Sequence, residues 1–220
     1  ASLMPALINT VIMTLLSLLL AVPIGIFSAI FLAEYAGKGN KFVDIIRLTT
    51  ETLSGIPSIV YGLFGMLFFV STCHWGFSLL AGAFTLAIMI LPLIMRTTEE
   101  ALLSVPDSYR EGSFGLGAGK LRTVFYIVLP SAVPGILAGV ILAIGRIVGE
   151  TAALIYTAGS VAQVPSSVLG SGRTLAVHMY LLASEGLYMD QAYATAVILL
   201  VLVVVINTLS GMVAKKLTKA

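Results

Sequence analysis

Two charged residues, Arg146 and Glu150, interrupt an apolar stretch that runs from residue 135 to residue 159. They are four residues apart, so a helix places them on the same side. Three small residues share that side, within an arc of about 80°: Gly135, Gly139 and Ala143. Small residues mark the faces at which membrane helices pack closely, which predicts that the pair points into a helix bundle. An arginine offers paired donors for a tetrahedral oxyanion, and Glu150 would balance its charge in an empty site.

This charged pair has a structural and a functional interpretation. An ion pair between Arg146 and Glu150 forms easily at i,i+4. The two charges would neutralise each other and stabilise the helix. A charge at the membrane centre, however, costs about 2.5–3.5 kcal/mol and usually marks a substrate or ion path, so we favour a path for an anion. Arg96 follows another apolar stretch, and two roles stay open for it. It is either a positive anchor at the membrane surface or a second guanidinium of the path.

A glycine run at residues 115–120, GLGAGK, looks like a nucleotide-binding loop. The phosphate-binding pattern is G-x-x-x-x-G-K-[ST], and aligning Gly119 and Lys120 on it leaves Phe114 in place of the first glycine and Leu121 in place of the hydroxyl. The dinucleotide pattern G-x-G-x-x-G fails as well, because its third glycine would be Lys120. We therefore predict that the chain has no ATP site and catalyses no covalent chemistry.

The composition indicates a membrane protein. Of 220 residues, 59% are hydrophobic and only 10% are charged, against about 25% charged in an ordinary soluble domain. The mean hydropathy is +1.07. A net charge of +2 gives no reason to expect nucleic acid, and the single cysteine, Cys73, excludes an internal disulfide and a multi-cysteine metal site. No cofactor or metal is expected.

Five segments are long and apolar enough to span a bilayer, which takes about 20 residues. They are residues 5–33, 55–73, 77–96, 130–155 and 191–214. A sixth patch, 174–184, is too short to span and is predicted to form a helix near the outer interface. Residues 40–53 have charges at three- and four-residue spacing and are predicted to form an amphipathic interfacial helix that leads into the second span.

Positive charges orient these spans. They cluster after the first, third and fifth spans: Lys38, Lys41 and Arg47, then Arg110, Lys120 and Arg122, then Lys215, Lys216 and Lys219. Because positive loops stay in the cytoplasm, the predicted topology has the N-terminus outside and the C-terminus inside. The N-terminal sequence has no signal peptide, so we expect one more span upstream and six in the full protein.

The polar loop at residues 97–129 between the third and fourth spans contains a predicted short helix. In SVPDSYREGSFGLGA, Ser104 is the expected N-cap, Pro106 and Asp107 fit the first turn, and glycines end the helix. A solvated hairpin is one interpretation of this loop. A helix that docks on a partner protein is the interpretation we favour, since long ordered loops are usually functional.

The loop resembles the cytoplasmic motif of binding-protein-dependent ABC importer permeases, which reads E-A-A, three residues, G, nine residues, I-x-L-P. Here Glu111-Gly112-Ser113 is followed by FGL, Gly117, nine residues and the sequence IVLP. The resemblance implies an all-α polytopic helical bundle of the ABC importer type I permease kind, with one transmembrane permease domain over residues 1–220. It also implies a coupling helix that sits in a groove of an ATPase subunit. The candidate docking residues are Ser104, Tyr109, Arg110, Glu111, Gly112, Ser113 and Gly117.

Further strings resemble the A-type permease of phosphate-specific ABC importers: LAEYAGK, IPSIVYGLFG, PLIMRTTEEAL, VPDSYREG and GRIVGETAALIYTAG. The resemblance implies that Arg96, Arg146 and Glu150 line a phosphate path. It implies as partners a second permease, two ATP-binding subunits, an extracytoplasmic phosphate-binding protein and the lipid of a prokaryotic cytoplasmic membrane. The C-type permease has a similar R-x-x-G-E-T string, and the A type is favoured by Met95–Glu99 and by TAALIYTAG.

Two other functions are compatible with parts of this pattern. A permease for sulfate or molybdate would keep the coupling loop without needing the pair of Arg146 and Glu150. An ion-coupled secondary carrier would use Arg146 as an anion site and Glu150 as a proton relay. Such carriers are commonly built from inverted repeats, which the sequence does not display, and a carrier leaves the loop motif unexplained.

Overall fold

The apolar segments form long helices in the computed structural model, which describes residues 3–36, 40–186 and 188–218. Four helices are long and apolar enough to cross a membrane: α1 (Met4–Tyr35), α4 (Leu79–Leu103), α6 (Lys120–Val148) and α9 (Met189–Lys216). The shorter helices are α2 (Lys41–Ser54), α3 (Ser58–Thr72), α5 (Asp107–Gly115), α7 (Ala152–Ile155) and α8 (Leu175–Glu185). No strand occurs in the described ranges, as the all-α prediction requires. Lys38 and Lys219 lie outside these ranges.

The second predicted span, 55–73, differs from the helix that forms there. Helix α3 is too short to cross a membrane alone, and it meets α2 at a bend of 100°. Counting α2 and α3 together as one broken span gives the fifth span. The bend lies at Gly55, Ile56 and Pro57 because a residue before proline is driven out of the helical conformation. The amphipathic helix expected at 40–53 is confirmed as α2, and the side chain of its N-cap, Asn40, accepts a hydrogen bond from an amide of its first turn.

The fourth span is displaced toward the N-terminus of its predicted range, 130–155. Helix α6 begins at Lys120 and ends at Val148, so most of the loop predicted at 97–129 is helical. A π-helical turn at Val124–Val128 directly precedes the turn that contains Pro130. A proline clashes with the carbonyl one turn earlier, and a widened turn is one way in which a helix accommodates it.

Close packing between α4 and α6 forms the part of the core that positions the candidate site. A Cβ atom added to Gly135 would lie 2.6 Å from the Cβ atom of Ala101, and Gly139 lies directly against Thr97. Ala143 is fully buried in the same core. The small residues of the fourth span therefore face the bundle interior, as their spacing predicts, because only small side chains allow this approach of two helices.

The opposite end of the bundle is held together by the first turns of α1. The buried side chain of Asn9 donates to the backbone carbonyl of Gln163 at 2.8 Å. The hydroxyl of Thr10 accepts a hydrogen bond from the amide of Leu175 at 2.9 Å. These contacts fix the irregular segment before α8. The patch at 174–184 forms this short helix and no span, as its length predicts.

Candidate anion site and coupling helix

Arg146 lies in the last turn of α6, where its side chain is half-buried. The residues around it on α6, Ala143 and Ile147, share a core cluster with Tyr61 of α3. Among the described residues, none of the ion pairs involves Arg146. The guanidinium is therefore half-buried and has no carboxylate partner in the described part of the chain.

The i,i+4 ion pair between Arg146 and Glu150, which was the structural interpretation of these charges, is absent from the ion pairs of the described residues, and the prediction that both lie on one helix is wrong. The helix stops at Val148, so Glu150 belongs to the connection that follows it. The Glu150 carboxylate instead accepts a hydrogen bond at 3.0 Å from the amide of Ala153 in α7. With only 8% of Glu150 exposed, this carboxylate acts as a buried cap of the short helix.

The capping role predicts a difference between two substitutions of Glu150. Glu150→Ala removes the acceptor for the Ala153 amide and is expected to cost about 1 kcal/mol of stability, as loss of a helix cap does. Glu150→Gln keeps an oxygen at the same place and is expected to retain most of that stability. Thermal unfolding of the purified protein measures both. Equal losses for the two variants would mean that the negative charge, and not the hydrogen bond, stabilises this turn.

Arg96 has a different environment from Arg146. It lies in α4, its side chain is 57% exposed, and its Nε atom donates to Glu100 at 2.9 Å. It lines a cavity of about 290 Å³ at the end of the bundle that carries α5, together with Arg47, Glu51 and Glu99. Arg146 does not line this cavity. Among the described residues, Arg96 is thus neutralised by a carboxylate one turn away, whereas Arg146 is not.

The short helix predicted in the loop at 97–129 is present as α5, but it begins later than predicted. Ser104 ends α4 instead of capping α5, because its hydroxyl donates to the Ala101 carbonyl at 2.7 Å. The helix starts after Pro106, whose ring excludes a helical conformation for the residue before it. The predicted glycine stop is confirmed: Gly117 has φ +82°, and the amide of Ala118 donates to Ser113 across the helix end at 3.1 Å.

Arg110, predicted as a docking residue, points toward the rest of its own chain. Its Nη2 atom lies 2.6 Å from the carboxylate of Glu34 at the end of α1. The guanidinium also donates to the carbonyls of Leu102 at 2.9 Å and Val105 at 2.8 Å, which join α4 to α5. Only 15% of the Arg110 side chain and 7% of the Glu34 side chain are exposed. Hydrogen bonding to Glu34 raises the pKa of Arg110, so the arginine stays charged and fastens α5 to α1 and α4.

The opposite side of α5 is open to solvent. Tyr109, Glu111 and Gly112 are exposed there, and Ser113 is half-buried because its hydroxyl bonds to Thr123 at 2.8 Å. The next residue after the helix is the most exposed large apolar side chain in the described part of the chain: Leu116, at 91%. An apolar side chain held out at a helix end is suited to a pocket on another protein.

Two residues of this region were not found by sequence reasoning. Glu34 is 76 residues from Arg110, and nothing local indicates that these two charges meet. Leu116 had a local signal, because an apolar residue just before the glycine that ends a surface helix has no neighbour on its own helix to cover it.

An all-helical fold in the described ranges, with several helices long enough to cross a membrane and a short polar helix attached to two of them, defines a multi-pass membrane protein. The chain belongs to the family of binding-protein-dependent transport system inner membrane components, whose sequence profile matches residues 21–219. It is therefore a transport component of a membrane. This membership leaves the secondary-carrier alternative without support.

Individual relatives agree with this assignment. The chain is 37% identical to YqgI of Bacillus subtilis, a probable ABC transporter permease protein, over 96% of this chain and 79% of that protein. It is 35% identical to PstA 1 of Mycobacterium tuberculosis, a phosphate transport system permease protein, over 94% of this chain and 69% of that one. Identity reaches 42% with PstA 2 of Mycobacterium bovis, also a phosphate transport system permease protein, over 70% of this chain and 50% of the relative.

Solved structures show the same fold at low sequence identity. The permease fold in inward-facing MetNI, a methionine ABC transporter, superposes with a TM-score of 0.75 at 20% identity, covering 98% of this chain and 94% of that chain. A bacterial ABC transporter that imports the polysaccharide alginate gives a TM-score of 0.76 at 18% identity, covering 98% and 79%. The predicted fold of an ABC importer type I permease is therefore confirmed.

Proposed function

We propose that this chain is a permease subunit of an ATP-driven importer for inorganic phosphate and forms half of the translocation path. The observation that carries the proposal is the guanidinium of Arg146, which lies half-buried at the end of α6 without a carboxylate partner among the described residues. Relatives that are phosphate transport permeases at 35% and 42% identity support phosphate as the anion.

Arg146 would bind the phosphate in transit. Its planar guanidinium donates two parallel hydrogen bonds to two oxygens of a tetrahedral oxyanion, and in a site of low dielectric these bonds are stronger than in water. Glu150 would contribute as a positioning residue, because its bond to Ala153 fixes the turn that follows Arg146. Arg96 would act nearer the α5 end of the path, once the phosphate competes with Glu100 for its guanidinium.

The proposed topology places α5 and the C-terminus in the cytoplasm, where their positive charges belong. The partners would be a homologous second permease, two ATP-binding subunits docked on α5 and its counterpart, and an extracytoplasmic phosphate-binding protein on the opposite face. ATP would be hydrolysed by the partner subunits and not by this chain. Tyr109, Glu111, Gly112 and Leu116 would form the surface that contacts an ATP-binding subunit, and Arg110 would hold that surface in place.

The docking proposal predicts the effect of a substitution at Gly117. A β-branched residue there is strained at φ +82°, by more than the about 1–2 kcal/mol that the left-handed conformation costs an ordinary residue. Gly117→Val is therefore expected to unwind the end of α5 and to weaken co-purification with the ATP-binding subunit severalfold. The matched control is Gly115→Ala, since a Cβ at Gly115 meets no atom within 4 Å. Undiminished co-purification of the valine variant would contradict docking through this helix end.

The substrate proposal is tested with the assembled complex. The chain is co-expressed with its second permease and ATP-binding subunits, and ATP hydrolysis is measured with the binding protein present. Phosphate is expected to stimulate hydrolysis, whereas sulfate and molybdate are not. Stimulation by sulfate or molybdate but not by phosphate would assign the chain to another oxyanion, which is the remaining alternative.

A further inference from the structure

Helix α2 is attached lightly to the rest of the chain. Within Lys41–Ser54, Val43 is the one fully buried residue, and three large apolar side chains are exposed: Phe42, Ile45 and Leu48. The polar attachment is an ion pair with α4, in which Nη2 and Nε of Arg47 lie 2.6 Å and 2.8 Å from one oxygen of Glu99. One ion pair therefore links this helix to α4, while Val43 is its one fully buried side chain and Ile46, Thr50, Leu53 and Ser54 are half-buried.

This ion pair is the weaker of the two that link different helices in the described part of the chain. The other joins Arg110 to Glu34, with both side chains largely buried and two backbone carbonyls completing the site. In the α2 pair, Arg47 is 46% exposed and Glu99 is 15% exposed. Solvent-exposed pairs contribute little stability, whereas separating a buried pair leaves an unpaired charge in the interior. A movement at this end of the bundle would thus separate Arg47 from Glu99 first.

The other end of α2 is a hinge on a fixed support. The chain turns by 100° between α2 and α3, and the Tyr61 hydroxyl of α3 donates to the Leu53 carbonyl of α2 across this turn at 2.7 Å. Helix α3 is itself fixed, because a Cβ on Gly62 would lie 2.8 Å from the Cα atom of Ala153. Tyr61 also packs with the α6 residues around Arg146. The hinge is therefore anchored beside the candidate anion site.

The cavity under α2 is unsuited to holding an anion. Its charged lining consists of two guanidinium and three carboxylate groups: Arg47, Arg96, Glu51, Glu99 and Glu100. Both arginines already have carboxylate partners, and the excess charge is negative. A phosphate that reaches this cavity is repelled unless the ion pairs rearrange. The charges of this cavity are therefore unsuited to a binding site for the anion. They are compatible with an exit that opens when the ion pairs rearrange.

We propose that α2 is a hinged strap over the cytoplasmic end of the path, with the pair of Arg47 and Glu99 as its clasp. The clasp is closed in this structure, and it opens once in each transport cycle to let the anion leave. The identity of the released anion rests on the proposed function, whereas the movement of the strap does not.

The test bridges the clasp covalently in the assembled complex. Cys73 is the one cysteine of the 220 residues, so Cys73→Ser gives a background in which R47C and E99C are the only thiols within them. A short bis-methanethiosulfonate reagent links the two thiols reversibly. We expect the bridge to lower phosphate uptake by about tenfold or more, as a locked gate does, and a reductant to restore it. Each single-cysteine variant treated with the same reagent is the control. Uptake that continues at the unbridged rate after complete bridging would overturn the proposal.

A second measurement follows the strap without any phosphate. The rate of bridging is compared in the nucleotide-free complex and in the complex trapped with a non-hydrolysable ATP analogue. We expect the rate of bridging to differ severalfold between the two states, because the clasp residues are in contact in one state and apart in the other. An equal rate in both states would reject the strap. Absence of phosphate uptake by the complex with the native chain would instead reject the proposed substrate, so the two failures are distinguishable.

Discussion

Replacing Arg146 by glutamine is expected to abolish ATP-driven phosphate uptake while the complex still assembles. The substitution removes the charge and the paired donors, and hydrogen bonds to a charged group contribute about 1.5–3 kcal/mol each. The loss of two such bonds corresponds to a fall in uptake of about a hundredfold or more. Accumulation of labelled phosphate in proteoliposomes that contain ATP measures the effect, and co-purification of the other subunits confirms assembly.

Arg146→Lys is the matched control for this result. Lysine keeps the positive charge but lacks the planar fork that binds two oxygens at once, so uptake is expected to be intermediate. Ordinary uptake by the glutamine variant would show that the guanidinium has no part in the path. Arg146 would then have only a structural role in α6.

Replacing Arg110 by alanine is expected to have the largest effect on stability. The substitution leaves the Glu34 carboxylate, which is 7% exposed, without its partner, and breaking a buried pair in this way typically costs about 3–5 kcal/mol. It also removes the donors for the carbonyls of Leu102 and Val105. We expect a lower unfolding temperature and weaker binding of the ATP-binding subunit, because α5 loses its attachment to α1 and α4.

Combining the alanine substitution with Glu34→Gln separates charge burial from loss of contact. A neutral amide is less costly to bury than a lone carboxylate, so the double variant is expected to recover part of the lost stability. Recovery of stability without recovery of subunit binding would show that Arg110 positions α5. An Arg110→Ala variant as stable as the native protein would contradict the burial of this pair.

The sequence predicted those features that depend on local pattern. Long apolar segments gave the membrane-crossing helices, and the spacing of Gly135, Gly139 and Ala143 identified the packed side of α6 before any contact was known. The helix stop at Gly117 was predictable for the same reason, since a left-handed residue favours glycine whatever lies around it. These features follow from the chain itself.

Helix ends within apolar stretches were predicted poorly. Apolar residues resume after Glu150 and Thr151 and run as far as Ile155, so hydropathy gives no sign that α6 ends at Val148 and that Glu150 leaves the helix. The end of α4 is similar, because Ser104 is as acceptable at a helix C-terminus as at an N-cap. There the proline at 106 was the better signal, since it sets the boundary by sterics.

Contacts between distant residues could not be predicted at all. The pair of Arg110 and Glu34 and the pair of Arg47 and Glu99 each join residues more than 50 positions apart. Whether such charges meet depends on how the helices pack. The sequence shows which residues are charged, but not which of them lie next to each other in the fold. For this reason Arg110 was predicted to face a partner, although its guanidinium lies inside its own chain.

We propose that this chain forms part of a path through which ATP hydrolysis drives phosphate across the membrane. The most direct test is uptake by proteoliposomes that hold the complete complex, ATP inside and the loaded binding protein outside. Labelled phosphate is expected to accumulate against its gradient only when ATP is present, and an excess of sulfate is not expected to reduce the rate. ATP-dependent accumulation of sulfate or molybdate, with none of phosphate, would contradict it.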